Sequence, residues 1–476
     1  QVWFNSDNGA GIYLDNLKDF TKINLNYDIK NGSYKLNQSG INESSLGIST
    51  EGGQKLNSGY AWGKFSFNND FLKGTRFNTQ MLDPTRGVPY YVADPNLSDW
   101  KKQDYKLEMS VASKPLWNFL HAGIKAEYVS KSGAKQVDPR SEVYYYHINV
   151  KPGLVATFGN HSVGLNAVYQ NLSQTSSTTN SDSEVNQNVY VLKGLGNNYI
   201  ATVGGLQSLG MFLYKGNTLG GAMQYSYMFP FVKIFFEGSY DYKVEDVISA
   251  PTKPKKEGTI SERVIGANVA VVVEEGSDFG RLNLSFKDSK TNGIEYVQVL
   301  DNTYEVQRWV DIYSSIRSTY NYREMAASFD FFRKSVTDYK WRAGVNTKYT
   351  SNDDLYIMPE SNMKIENMYV GGNIRFNVPL GKSSALLIGA ELTYKYNYNG
   401  KYSYNGAEPE SVIITEFMTP DFVFMKTSYK RLGGNIALET KVGRTRMSLN
   451  ANLLYYDPMN MEKSRVHSQL GLGFNF

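Results

Sequence analysis

No cysteine occurs in the 476 residues, which excludes a disulfide framework and any thiolate-held zinc or iron–sulfur site. Charge of one sign is lacking too. The 50 Lys and Arg meet 46 Asp and Glu, and the resulting +4 is too small to hold a protein on nucleic acid by charge. Long apolar runs are also missing: the most apolar windows, 264–273 and 385–388, reach about ten residues at most, whereas a spanning helix needs roughly 20. No transmembrane helix is therefore expected. The opening Gln1-Val2-Trp3-Phe4 has no initiator Met, charged n-region or apolar h-region, as expected of an exported chain whose signal peptide has been removed. A disordered chain is excluded by a hydrophobic content of 41%, with 36 Tyr and 24 Phe.

What the sequence does contain is period 2. Within 22–30, Ile23, Leu25, Tyr27 and Ile29 alternate with Asn24, Asn26, Asp28 and Lys30, which gives a strand with one apolar and one polar face. Tyr105, Leu107, Met109 and Val111 repeat the pattern, as do Val163, Leu165, Ala167 and Tyr169, and similar runs follow to the end of the chain. Short joints rich in turn formers (113–118, 159–161, 229–231, 379–384 and 442–445) alternate with long ones (69–103, 171–217, 243–261 and 397–430). Short turns at one rim and long loops at the other are the pattern of an outer-membrane barrel.

The expected fold is all-β: a transmembrane antiparallel up-and-down β-barrel of about 18 strands, or roughly 14 to 16 if marginal segments stay outside the sheet. The barrel should span 21–476, with 1–20 as a periplasmic or lumenal segment. Strands are also expected at 43–51 and 311–332, the latter as one strand projecting beyond the membrane. Outgoing strands end in Tyr128, Tyr169, Tyr240, Tyr242, Tyr349, Tyr394, Tyr396 and Tyr455, the composition of an aromatic girdle at the outer lipid–water boundary. A soluble multi-sheet protein would instead bury the apolar parity between sheets, and would leave the loop asymmetry unexplained.

The last strand places Val466, Ser468, Leu470, Leu472, Phe474 and Phe476 on one parity and stops on Phe476. It resembles the C-terminal signal that the barrel-assembly machinery reads in outer-membrane proteins. A looser resemblance covers most of the chain. The Tyr- and Asn-rich strands, the start at Gln1 and the Asp138-Pro139-Arg140 element are similar to a poorly characterised family of Bacteroidota outer-membrane barrels. Such barrels often accompany TonB-dependent transporters and surface lipoproteins in nutrient or iron uptake. The resemblance implies those partners, in addition to outer-membrane lipids, and residence as an integral protein of the bacterial outer membrane.

The polar parity aims Lys106, Glu108, Lys125, Glu127, Arg342, Lys348, Glu391, Lys395, Glu439, Lys441 and Arg446 into the lumen. Mixed signs favour pairing across a filled barrel over an ion-selective pore. Residues 1–20 are too short for the separate plug domain of a TonB-dependent transporter, and read equally as a small lumenal plug or a frayed terminus. His121, His147 and His467 share the inward parity, and His161 falls in a turn. A hydrolase would need one of them beside a Ser or Asp on a neighbouring strand, and polar lining is the simpler role. Met358, Met363, Met418, Met425, Met459 and Met461 fall in or beside outer loops, where thioethers serve packing or an interface better than they mark a metal. No cofactor or metal is expected.

Two loop stretches are strongly apolar for segments that should meet water: 87–92, with Pro89, Tyr90 and Tyr91, and 417–425, with Phe417, Met418, Phe422 and Phe424. Exposed apolar stretches mark contacts, either with the barrel's own loops or with a partner, and these residues are the candidate partner-contact surface. The expected function is non-enzymatic: an accessory subunit of an uptake complex with a TonB-dependent transporter and a surface lipoprotein. The alternative is a porin-like passive diffusion channel for a small solute.

Overall fold

The computed structural model describes residues 2–182, 184–205, 209–250, 253–303, 307–334 and 339–476. Eighteen strands form one antiparallel sheet in which each strand pairs with its neighbours in sequence. The sheet closes where the first strand, Phe20–Asn31, pairs with both Asn42–Leu56 and the last strand, Arg465–Asn475. Closure matters because backbone groups facing hydrocarbon have no water to bond, and a ring of strands leaves no edge unpaired. Among the described residues, no helix is long and apolar enough to cross a membrane.

Burial along the strands is inverted relative to a water-soluble protein. In Phe212–Met228, Leu219 is 65% exposed while its neighbour Thr218 is 5% exposed. Met223 is likewise exposed between the buried Ala222 and Gln224. Polar residues inside and apolar residues outside are what a lipid-facing surface requires. All the girdle tyrosines lie on the outward parity. Tyr169 and Tyr242 flank Leu219 on one rung, and Tyr349 and Tyr396 flank Met368 on another.

The segments expected at 43–51 and 311–332 are barrel strands: Asn42–Leu56 and the long Arg308–Lys334. The expected long joint at 243–261 is corrected. Val232–Ser249 and Lys255–Glu275 continue as paired strands, so the connection shrinks to residues 250–254. Val244 and Ile248 stay on the outward parity while Val247 and Ile260 turn inward into the core beneath the loops, although Lys and Glu residues break up the apolar character of the stretch. The wide connections are 32–41, 76–97, 180–211 and 404–428. All four leave the rim opposite the short turns. Three carry structure of their own: a three-stranded sheet of Tyr91–Ala93, Gln187–Gly194 and Asn197–Val203, and a helical segment of Ile413–Met418 running into Thr419–Lys426.

The end of the chain takes part in closure directly. Leu470 and Leu472 pair across both neighbouring strands, and the Phe476 N–H donates to the Thr21 carbonyl at 2.9 Å. Deleting residues 472–476 removes the last rungs of both seams. The deletion is expected to abolish the heat-modifiable band of folded barrel in outer-membrane fractions. A normal heat-modifiable barrel after the deletion would refute both the closure role and the assembly-signal reading.

Candidate functional site

The lumen is filled from both ends by the chain itself. At the short-turn end, residues 2–19 fold against the inward face. Asn8 caps a short 3-10 helix, Gly9–Asp15, accepting from the Ala10 N–H at 3.1 Å. Its amide nitrogen also donates to the wall carbonyls of Leu154 and Leu165 and to the Gln224 side chain. Trp3 is buried edge-on against Phe235 at 5.1 Å, with its indole N–H donating to Ser226. Asp7 pairs with Lys151 at 2.6 Å and Asp15 with Lys233 at 3.4 Å. Of the two readings open for this segment, a lumenal plug is the one the contacts describe.

At the loop end, the apolar stretches expected on the surface are inside. Pro89, Tyr90, Tyr91, Phe417 and Phe422 are buried, and Met418 and Phe424 are partly buried. Of the two contacts expected of these residues, the one with the barrel's own loops and wall is the one the structure describes. Phe417 stacks on Phe77 at 4.9 Å, and Phe424 meets Tyr34 at 4.6 Å. Tyr90, Tyr91, Val189, Val191, Phe212, Tyr214, Val247 and Ile260 build one core between the inserted loops and the wall. Tyr90 reaches the wall because Gly258 lies beneath it: a Cβ there would come within 2.4 Å of the ring. Sequence alone could not separate these cases, because an apolar loop segment reads the same whether it covers a partner or its own barrel.

Two buried ion pairs fasten the loop 76–97. Arg86 donates both terminal nitrogens to Glu245 at 3.0 and 2.6 Å, and the Glu245 side chain is fully buried. Asp94 pairs with Lys135 at 3.1 Å, with each side chain 1% exposed. The helical segment is fastened to the neighbouring loops by Arg76–Glu416 at 2.7 Å and by Asp421, whose carboxylate accepts from the Asn37 backbone and side chain at 2.8 and 2.9 Å. Burial pushes the Asp421 carboxyl up to about 6, opposed by the Asn37 hydrogen bonds and the Lys35 charge.

The inward charges largely neutralise one another, as their mixed signs implied. Lys106 bridges Glu108 and Glu127, Arg342 meets Asp330, Lys348 meets Glu324, Arg431 meets Glu391 and Arg446 meets Glu439. Lys125 and Lys395 instead donate to backbone carbonyls of the inserted segments, Ser6 and Met425. His121 packs on Tyr13 and bonds the Ser113 carbonyl, His147 sits between Glu127 and Gln170, and His161 bonds the Tyr225 hydroxyl. His467 meets Asp28 on the neighbouring strand at 3.2 Å, which is the His–Asp contact that hydrolysis would need. No hydroxyl completes a triad there among the described hydrogen bonds. Of the loop methionines, Met363, Met418 and Met425 pack into the inserted core, and Met459 and Met461 accept from Tyr394 and Thr427.

The filling is incomplete. A charged chamber of about 640 Å³ lies beside His467 and Asp28, with Asp70, Asp83, Lys102 and Lys131 in its walls. A second, of about 560 Å³ and mixed apolar and polar lining, adjoins it across Pro84 and Thr85, which line both. These chambers, walled by the barrel on one side and the inserted loops on the other, are the candidate functional site. The segment 82–86 divides them, and Arg86–Glu245 holds that segment in place.

Removing Arg86 leaves Glu245 buried without its fork. Arg86→Ala is expected to cost ~3–5 kcal/mol in loop docking and to open Tyr90 and Tyr91 to chymotrypsin, whereas Arg86→Met with Glu245→Leu recovers most of the loss. Equal cleavage of wild type and Arg86→Ala would show that the pair does not hold the loop. For Asp421, the docked loop keeps its proton up to about 6, while the released carboxyl titrates near its ordinary 3.8. Docking is therefore firmest at and below ~pH 4 and weakens as pH rises through 6. Proteolysis at Phe422 and Phe424 should be faster at pH 8 than at pH 5 relative to Asp421→Asn, and an unchanged ratio would refute the linkage.

Several solved structures are similar in fold, all at low sequence identity. The ferric preacinetobactin receptor BauA from Acinetobacter baumannii is 10% identical with a TM-score of 0.41, covering 96% of this chain and 80% of that one. The ferric citrate transporter FecA is 7% identical at 0.42, covering 96% and 78%. The FrpB iron transporter from Neisseria meningitidis is 10% identical at 0.40, covering 98% and 83%. No curated protein matches the sequence. A family model does match, over residues 9–476, and this outer-membrane-type barrel belongs to that family of unknown function, DUF6850.

Proposed function

We propose that this chain is a non-enzymatic, integral outer-membrane subunit that serves nutrient or iron uptake alongside a TonB-dependent transporter and a surface lipoprotein. The observation that carries the reading is closure. Both ends of the lumen are occupied by segments of the chain itself, fastened by buried ion pairs and an aromatic core. A barrel built as a standing diffusion pore would leave a continuous wet path, and its inward charges would favour one sign. The partner classes come from the resemblance to Bacteroidota uptake barrels, and closure supports them by removing the simplest use of an 18-stranded ring. A gated diffusion channel is the second reading. It is favoured by the adjoining chambers, which would join if the segment 82–86 moved.

The deciding experiment is purification of the tagged barrel from native outer membranes in mild detergent, with identification of co-purifying chains. Stoichiometric recovery of a TonB-dependent transporter or a surface lipoprotein is expected. If the barrel comes out alone and shows steady unitary conductance in planar bilayers, the subunit reading fails and the channel reading takes its place.

A further inference from the structure

The smaller of the two upper chambers contains a buried acid with no countercharge. Asp354 lies on the inward face of Tyr339–Ile357, is 7% exposed, lines the chamber, and makes no hydrogen bond or ion pair among the described residues. The register sets its surroundings. Thr291, Tyr320, Asp354 and Met363 are cross-strand partners on one rung of the wall, and all four line the chamber. The Tyr320 hydroxyl is buried beside the Ser318 hydroxyl and under the Gly194 backbone.

The opposite side comes from the inserted loops. The hairpin tip Gly194–Leu195–Gly196 runs through positive φ at all three residues, which lets its backbone press against the Tyr320 hydroxyl and Met418. Tyr402 anchors that tip by donating to the Leu195 carbonyl at 3.2 Å. Met418 and Met425 of the helical segment complete the lining.

The other charges facing this chamber are already engaged. Arg86 is forked onto Glu245, Glu262 pairs with Lys243 at 2.7 Å, and Asp421 accepts from Asn37. Lys287 stands on the rung of Glu324, four residues from Thr291 along its strand, which is on the order of 13 Å from the Asp354 rung. An isolated carboxylate in such a place is costly, so the acid holds its proton until something cationic joins it. The surrounding groups define what that something looks like. The aromatic face of Tyr320 attracts a cation and accepts an apolar body, while the Tyr322 ring already carries Lys287 Nζ at 5.9 Å, and thioethers adapt to the ligand's shape.

We propose that this chamber is a binding site for a small organic amine, an ammonium group on an apolar or aromatic body, with Asp354 as its counter-ion and the Tyr320 ring as the aromatic face beside it. The ligand is enclosed between the barrel wall and the hairpin tip, so entry requires movement of the inserted loops. The site belongs to the barrel alone and does not depend on any partner chain.

The test uses the purified full-length barrel in detergent micelles, with phenethylamine as probe and 2-phenylethanol and 3-phenylpropionate as neutral and anionic analogues of similar shape. Calorimetric titration, corrected for partition into empty micelles, is expected to show saturable binding of the amine and much weaker binding of the other two. Asp354→Asn should weaken amine binding roughly ten- to a hundredfold, the range for loss of a charged hydrogen bond. Asp353→Asn, which changes the neighbouring acid on the opposite parity, should change it far less. Met418→Trp, which fills the chamber from the loop side without touching the barrel wall, should also abolish binding, and heat-modifiability confirms that each variant folds. Equal affinity for amine and alcohol, unchanged binding in Asp354→Asn, or no saturable binding of the amine to the wild type would each overturn the proposal.

Discussion

Pairing of the first strand with the last is the constraint from which the rest of this structure follows. In hydrocarbon an unpaired backbone amide has no solvent to bond, so the sheet has to close, and it closes between Phe20–Asn31 and Arg465–Asn475. Closure in turn fixes every side chain to one of two environments. Residues such as Leu219 and Met223 face lipid, and Thr218 and Gln224 face the lumen, so the polar parity is committed to lining an interior. An 18-stranded ring encloses more space than inward side chains alone can fill. Something else has to occupy that space, and here it is the chain's own terminus and loops.

The inserted segments solve a desolvation problem in two ways. Their apolar residues form a core like that of a soluble domain, with Tyr90 against Gly258 and Phe417 stacked on Phe77. Their polar residues meet the polar parity of the wall. Asn8 satisfies the carbonyls of Leu154 and Leu165, Lys125 reaches Ser6, and the Arg86 fork grips Glu245. Buried ion pairs of this kind contribute little to stability in comparison with an apolar replacement, but they fix position strongly, because either partner left alone is an uncompensated charge. That suits a loop which has to sit in one place inside a wide ring, and the residual chambers on either side of residues 82–86 are a consequence of where it sits.

The barrel itself was legible because its signal is local. Period 2 is imposed by strand geometry and repeats regardless of distant contacts, so the alternation at 22–30, 105–111 and 163–169 marks strands directly, and the inward list of lysines, arginines and glutamates follows from parity. The site was much less legible. Residues 87–92 and 417–425 showed their apolar character but not its destination, because hydrophobicity has no direction. The extension of strands through 243–261 was masked by lysines and glutamates that read as loop, although Lys243 pairs with Glu245 and Glu262, and Lys255 with Glu257, along the wall itself. Asp354 gave no signal at all: in sequence it is one of two adjacent aspartates, and only register places it on a rung with Tyr320 and Met363.

The sequence by itself determined that this chain is a membrane barrel of paired amphipathic strands, since the two-residue repeat comes with short turns alternating with long loops, an asymmetry that a stack of sheets burying the same apolar parity would leave unexplained. It also determined a lumen of mixed charge. Whether that lumen was open, which loops entered it and which acid was left without a partner were decided by tertiary structure alone. Those outcomes depend on cross-strand register and on contacts between residues hundreds of positions apart, such as Trp3 with Ser226 and Asn37 with Asp421, and no local pattern encodes such distances.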